Sequence, residues 1–401
     1  MAKWVDQAHI DAFPEATQEE LERAMRLTVE QVLRNLEQFR DKFPGPNSEN
    51  NFYTPDINTD WTSGFWTGEV WLAYEQATDP EEKAALREAG EIQVRSFLER
   101  IHVKHYVDHH DMGFLYIPSC VSAYKLTGMP EAREAALLAA DQLMTRFQPI
   151  GSYIQAWGEM NAPDNRRLII DCLLNIPLLY WATAETGEPR YREVAEKHIH
   201  TTMRHVVRED RSTWHTIFFD AETGNFSHGA TCQGYSDGSA WARGQSWGIY
   251  GSAIAYSYTR EEKYIEHFRR VSSYLLEHLP SDLCPYWDLS FGDEDEGQEP
   301  RDSSTAAITA CGFLEMSKYL QPEEAAVYRS YALKLLKTLL DTYQVKDPRI
   351  SNGQLLHGTY ARKTPYNTCR NSGVDECVIW GDYFYMEALH RALNPNWVMY
   401  W

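Results

Sequence analysis

What the sequence lacks narrows it before any motif is read. Its seven cysteines (Cys120, Cys172, Cys232, Cys284, Cys311, Cys369 and Cys377) are scattered and never form a CxxC pair. Such a set reads as reduced, mostly buried thiols rather than a zinc site or a disulfide framework. No apolar run approaches the roughly 18 residues of a membrane-spanning helix. The opening stretch MAKWVDQAHIDAFPEATQEE has no apolar signal core and reads as mature cytoplasmic chain. Lys and Arg number 38 against 58 Asp and Glu, for a net charge of −20. That balance argues against nucleic acid or an anionic membrane as partner. It leaves room for a small anionic substrate, because a few local guanidinium or ammonium groups override a distant field. No phosphate-binding loop or GxGxxG turn is present, so no nucleotide cofactor is indicated. No HExxH motif is present either, and the expectation is that no metal is bound.

What is present is aromatic: 13 Trp, 24 Tyr and 15 Phe. A bulky core accounts for many of them. Sugar-ring stacking accounts for others, since pyranose CH faces pack well on indoles.

One pattern recurs along the chain. An apolar, aromatic stretch ends at a turn marked by Gly, Asp, Pro or Thr, and a charged amphipathic stretch follows. It occurs at 71–89, 122–140, 178–197, 253–271 and, less cleanly, 313–336. The first half of each should be a buried helix and the second a surface helix. The joins DPEE, PEA and PEE suit helix starts, where Pro needs no amide and Glu favours the dipole. An unpaired amphipathic helix opens the chain at 17–39, with Thr17 and Glu20 as a capping box. An unpaired apolar helix closes it at 380–393. If these two pair, six hairpins result, and the expected fold is all-α, an (α/α)6 barrel spanning 1–401 as one domain. Strand signals are confined to loops such as 212–219.

The unusual residues precede the inner helices, at 58–66, 108–114, 154–175, 236–248, 286–304 and 379–385. Segments distant in sequence should therefore converge at one mouth of the ring, as functional loops do. Asp171 lies among Leu, Ile and Cys in LIIDCLLN. It is either a hydrogen-bonded structural group or an acid whose pKa is raised by burial. Asp111 follows His109 and His110 and suits a helix N-cap, a carboxylate facing substrate, or both. Metal binding fits it poorly, because consecutive residues rarely share one ion. The segment GQSWG (244–248) matches the serine-hydrolase elbow, but its flanks read helical rather than as a strand. Arg243, among Trp241, Trp247 and Tyr250, is a substrate-carboxylate anchor or a structural ion-pair partner. Trp61, Trp66 and Trp157 are stacking platforms or core.

At these motifs the chain resembles glycoside hydrolase family 88, the unsaturated glucuronyl hydrolases. The resemblance runs from about Asn58 to Tyr385. It is carried by NTDWTSGFWTG, DHHDMGFLY, IQAWG, LIIDCLLNIPLL, GSAWARGQSWGIYG, YWD with RDSSTAAITACG, and IWGDYFYMEAL. It implies the (α/α)6 fold and release of unsaturated uronic acid from lyase-generated oligosaccharides, with no metal or cofactor. It implies Asp171 as proton donor and general acid/base, and Asp111 as the second essential carboxylate. His215, Gln233, Arg243 and Trp247 are implied around the unsaturated ring, with Gly229 and Thr231 from the loop HGATCQG. Trp61 and Trp157 are implied along the sugar subsites.

One segment departs from the pattern. Members acting on sulfated glycosaminoglycans carry a serine-and-lysine motif near the C-terminus, where this chain has TPYNTCRNSGVDEC with Asn367, Arg370 and Ser372. Chondroitin or hyaluronan disaccharides are the first expectation, with heparin, gellan or other lyase products open. The rival readings are an unsaturated rhamnogalacturonyl hydrolase, a sugar epimerase and a non-catalytic sugar-binding protein. Carboxylates stand where an epimerase would use histidines. The expected assembly is a monomer or weak homo-oligomer.

Overall fold

The computed structural model describes residues 3–401. A short helix α1 (Gln7–Ala12) precedes α2 (Gln18–Phe39), and helical hairpins follow. The first pairs α3 (Ser63–Gln76) with α4 (Pro80–His102). The second joins α5 (Met112–Tyr116), a π turn at Ile117–Val121 and α6 (Ser122–Thr127) to α7 (Pro130–Met144). The third joins a 3-10 turn at Ile170–Leu174 and α8 (Pro177–Thr186) to α9 (Pro189–Val206). Then come α10 (Ala242–Thr259) with α11 (Lys263–Leu276), and α12 (Ser303–Met316) with α13 (Pro322–Thr338). Finally α14 (Ile379–Leu393) packs on α2, α3 and α12 and closes the ring. This is the (α/α)6 barrel, with the opening and closing helices paired as the sequence pattern implied.

The hairpin joins follow from their residues. Helices α4, α7, α9 and α13 each begin with a proline in the first turn, where the missing amide costs nothing. Asp79 caps α4 by accepting from the amides of Glu81 and Glu82. Thr17 and Glu20 form the expected capping box on α2. Gly128 (φ 71°) and Gly187 (φ 76°) end α6 and α8 in the left-handed region. The inner helices are buried on nearly all faces; every residue of α12 is buried. The outer helices bury one stripe. Pro118 interrupts the second inner segment, and the π turn around it absorbs the lost amide.

All inner helices run the same way round the ring, so their N-terminal ends share one face. The long loops before them meet there, together with a small antiparallel sheet of Arg167–Ile169, Thr216–Phe219 and Phe226–Ala230. At the opposite end, residues 397–401 fold inward, and Trp401 is buried against Phe384 and Tyr383. All seven cysteines are free, five of them buried. Among the described residues, no helix is long and apolar enough to cross a membrane.

Candidate active site

The mouth holds a cavity of about 700 Å3 lined by Asp60, Trp61, His109, Asp111 and Trp157 among others. Asp111 stands at the N-cap position of α5, yet its side chain makes no cap bond. The capping role is thereby excluded, and the carboxylate is turned to its histidines. Oδ2 lies 3.1 Å from His109 Nδ1 and Oδ1 lies 3.3 Å from His110 Nε2. Burial alone would raise its pKa, but His110, His109 and Arg100 outweigh it and hold the carboxyl below the usual range. Asp111 is therefore ionised at neutral pH.

Asp171 has the opposite environment. It lies in the 3-10 turn between the strand Arg167–Ile169 and α8, packed among Ile170, Cys172 and Leu173. Its Oδ1 is buried and has no hydrogen-bond partner, and the buried Trp247 Nε1 likewise has none. Burial, with the Asp111 charge adding to it, pushes its pKa up to about 7; Arg243 and the Trp247 indole pull the other way less strongly. One carboxyl thus holds a proton near neutrality while its neighbour stays charged, which is the division an acid/base pair requires.

Asn175 joins the two. Its Oδ1 accepts from the Phe114 amide at 2.7 Å, and its Nδ2 donates to the Asp171 carbonyl at 3.2 Å. Gly113 permits this approach: a Cβ there would stand 2.3 Å from the Asn175 Cα. The segment carrying Asp111 is thus fixed on the turn carrying Asp171. Two buried arginines pin the loops outside. Arg100 donates to Asn58, to the carbonyls of Thr59 and Asp60, and to those of His105 and Tyr106. Arg146 ties Asp108 to the carbonyls of Gln155 and Gly158.

The remaining candidates divide between site and scaffold. Trp61 stacks on Trp380 at 5.4 Å and donates to the Tyr360 hydroxyl; Trp157 is 39% exposed and reaches into the cavity. Trp66 is buried core, its indole donating to the Phe39 carbonyl. Trp247 is also fully buried, against Phe114 and Phe384, so it offers an N–H rather than a stacking face. His215 Nδ1 accepts from the Cys232 amide at 2.9 Å. Burial, helped by the Arg243 charge, drives its pKa down to about 3, so it is neutral and its Nε2 bears the hydrogen.

Arg243 is committed within the protein, as the ion-pair alternative of its two readings has it. Its terminal nitrogens donate to Asp302 at 2.6 Å and, each at 2.7 Å, to Gln233 and the carbonyls of Thr359 and Tyr360. Trp241 and Trp380 flank it at 4.6 and 4.8 Å. Gln233 is accordingly its partner. Thr231 accepts from the Gly234 amide, and Gly229 admits the Trp214 ring, where a Cβ would stand 2.2 Å away. Both shape the loop that carries Cys232. Ser246 is buried inside α10 and donates to the Arg243 carbonyl, so GQSWG is no nucleophile elbow.

In the departing segment, Asn367 is buried and donates to the carbonyls of Gly234 and Arg362. Ser372 donates to Asn47, and Arg370 is exposed. Among the described residues, no group of three or more His, Cys, Asp or Glu side chains is placed to hold a metal. Sequence reasoning missed Asn175, Asp60, Arg100 and Arg146. Of these, Asn175 had a signal: it follows Asp171 by four residues, one helical turn on.

Comparison with known proteins agrees with this geometry. The model for Glycosyl Hydrolase Family 88 matches residues 35–381. The unsaturated chondroitin disaccharide hydrolase of Streptococcus pyogenes serotype M1 is 46% identical, covering 96% of this chain and 94% of its own. The unsaturated glucuronyl hydrolase of Streptococcus agalactiae superposes with a TM-score of 0.91 at 42% identity, over 98% of this chain and 96% of that one. A variant of that enzyme complexed with dGlcA-GalNAc6S superposes at 0.84 and 40% identity, again over 98% and 96%. A family model over most of its length and relatives above 40% identity over nearly all of it show that the chain is a glycosidase and that it belongs to glycosyl hydrolase family 88.

Proposed function

We propose that this unsaturated glucuronyl hydrolase acts on 4,5-unsaturated uronyl disaccharides of the glycosaminoglycan type, with Asp171 as acid and then base. The observation that carries the reading is a pair of carboxyls on segments tied together through Asn175, Asp171 raised by burial and Asp111 held low beside its histidines. The substrate class is supported by the S. pyogenes relative's name and by the dGlcA-GalNAc6S complex of the S. agalactiae enzyme. The positive N-terminal ends of the parallel inner helices also favour an anionic sugar at a mouth on a chain of net charge −20. Residues 1–401 act as one catalytic unit in this proposal.

The substrate's ring carries an enol ether, C4=C5. Protonated Asp171 gives its proton to C4, and the cation that forms at C5 is shared with the ring oxygen. Ionised Asp111 stabilises that charge electrostatically and holds sugar hydroxyls without attacking. The Asp171 carboxylate then takes a proton from a water that adds to C5. The hemiketal opens, and the hemiacetal left at C1 expels the second sugar, leaving a keto-aldehyde acid. Neutral His215 donates from Nε2, and Arg243 works at one remove by fixing Gln233 and the Trp241 wall. The test is to mix the protein with lyase-generated unsaturated disaccharides and follow the enol-ether absorbance. Loss of absorbance supports the reading; binding without any loss rejects it.

A further inference from the structure

The mechanism makes no use of Arg167, a cation beside the mouth. Arg167 opens the strand that leads to Asp171, four residues earlier and therefore on the order of 10 Å up the wall. Its guanidinium lies 5.4 Å from the Trp157 ring and 5.1 Å from the Phe218 ring. Phe218 is in turn stacked on His228 at 4.7 Å. The strand register, Arg167 opposite Phe218 and Phe218 opposite His228, puts this aromatic row on one face of the sheet.

Arg167 has few partners for so large a donor. Its Nη2 donates to Asn165 Oδ1 at 2.7 Å and weakly to the Asp164 carbonyl at 3.5 Å. Its Nε is buried with no hydrogen-bond partner. Among the described residues no carboxylate stands within 4.0 Å of it, although acids outnumber bases 58 to 38. Arg146, Arg243 and Arg391, the fully buried arginines, all pair with acids. An arginine held between aromatic faces, with donor capacity left over, is built to receive an anion.

Trp157 locates that anion. Its ring lies 6.3 Å from His110, the neighbour of Asp111, and Arg167 is on the same indole. A sugar stacked on Trp157 beside Asp111 therefore has its far substituents directed towards Arg167. The geometry points to Arg167 as the residue that reads an anionic substituent, a sulfate, on the sugar beyond the cleaved bond. This rests on the proposed function and adds to it a determinant of specificity. Arg167 touches no reacting atom, and its contribution is to binding.

The experiment compares unsaturated uronyl–N-acetylgalactosamine disaccharides without sulfate and with a 4- or 6-sulfate. In Arg167→Gln, KM for at least one sulfated disaccharide rises on the order of tenfold relative to the unsulfated one, while kcat holds for both. Arg167→Lys keeps the charge but loses the planar fork, so it recovers part of that ratio. In the unaltered protein, KM for the sulfated sugar rises more steeply with salt than KM for the unsulfated one. Parallel changes for all substrates, in the variants or with salt, overturn the assignment and leave Arg167 a packing residue of the sheet. Turnover of the unsulfated disaccharide by the unaltered protein separates this failure from failure of the functional reading itself.

Discussion

The two ends of the ring bury charge in opposite ways. At the far end, Arg391 donates to Glu387 at 2.9 Å, to Glu315 at 2.5 Å and to the Tyr250 hydroxyl. Lys318 and Tyr319 also donate to Glu315, and the Trp401 indole donates to Glu387 at 2.7 Å. Every charge in that network has a partner. At the mouth, Asp171 Oδ1, Trp247 Nε1, His110 Nδ1 and Arg167 Nε are buried without one. A buried polar atom left unmatched costs about 1–3 kcal/mol, so these mouth groups forgo stability that the Arg391 network collects. Asp171, Trp247 and His110 belong to segments that the family resemblance singles out, and Arg167 immediately precedes one of them. Stability and chemistry are thus divided between the two ends of the same helices.

The largest test of that division is at the mouth. Asp171→Asn removes the proton while keeping the shape, and turnover should fall about 10²–10⁴-fold, the range of a lost general acid. The fold should survive, because no hydrogen bond to the Asp171 side chain is broken. At alkaline pH the variant should melt no lower than the parent, since it no longer buries a carboxyl that must ionise. A fully active variant would remove Asp171 from the mechanism. The matching change at the far end is Arg391→Met. It leaves Glu387 buried without a cation and takes one of two from Glu315, and a broken buried pair costs about 3–5 kcal/mol. Melting should drop sharply, while the folded fraction keeps its KM. If Arg391→Met melts normally, the far-end network is decoration and the comparison fails.

Much of this division was legible in the sequence, and the reasons differ by residue. The hairpins were visible because Pro80, Pro130, Pro189 and Pro322 mark where outer helices begin, and local chemistry sets such starts. Asp171 was visible as a carboxyl among apolar neighbours, which is a property of a few consecutive residues. Arg243 was ambiguous because its partners, Asp302, Thr359 and Tyr360, come from loops far along the chain. The N-cap reading of Asp111 failed for the same reason: His109 and His110 compete for its oxygens, and spacing alone does not show which wins. Arg391 and Glu315 were not singled out, each being a lone charge in a stretch read as apolar and buried. Only ring closure buries them together.

Asn175 probes the link between the carboxylates rather than either one. Asn175→Ala leaves the Phe114 amide and the Asp171 carbonyl without these partners, at about 1–3 kcal/mol each. The expected outcome is a moderate loss of melting temperature with a fall in kcat on the order of tenfold and little change in KM. A stability loss with kcat intact would mean that the two segments hold their register without it.

The gentlest perturbation is pH, and its sign follows from the raised carboxyls at the mouth and beside it. Burial pushes Asp171 up to about 7. Burial also raises Asp382 and Glu69, a buried pair inside the ring, with the Asp382 charge adding to the rise at Glu69. An unfolded Asp titrates at about 3.9, so between roughly pH 4 and 7 these carboxyls bind more protons in the folded chain than in the unfolded one. Their contribution to stability is fullest below that window and declines as pH rises through it, whereas His198, His215 and His390, pushed down by burial, take stability away as pH falls below about 6.5. Activity has the same alkaline limb: it should be halved near pH 7, where Asp171 is half protonated, and fall about tenfold per further pH unit. On the acid side Asp111, held below the usual carboxylate range, stays ionised, so activity should persist into mildly acidic buffer. Turnover and melting measured across one buffer series separate the two ends. Asp171→Asn should remove the Asp171 part of the melting slope and leave the parts set by Asp382, Glu69 and the buried histidines.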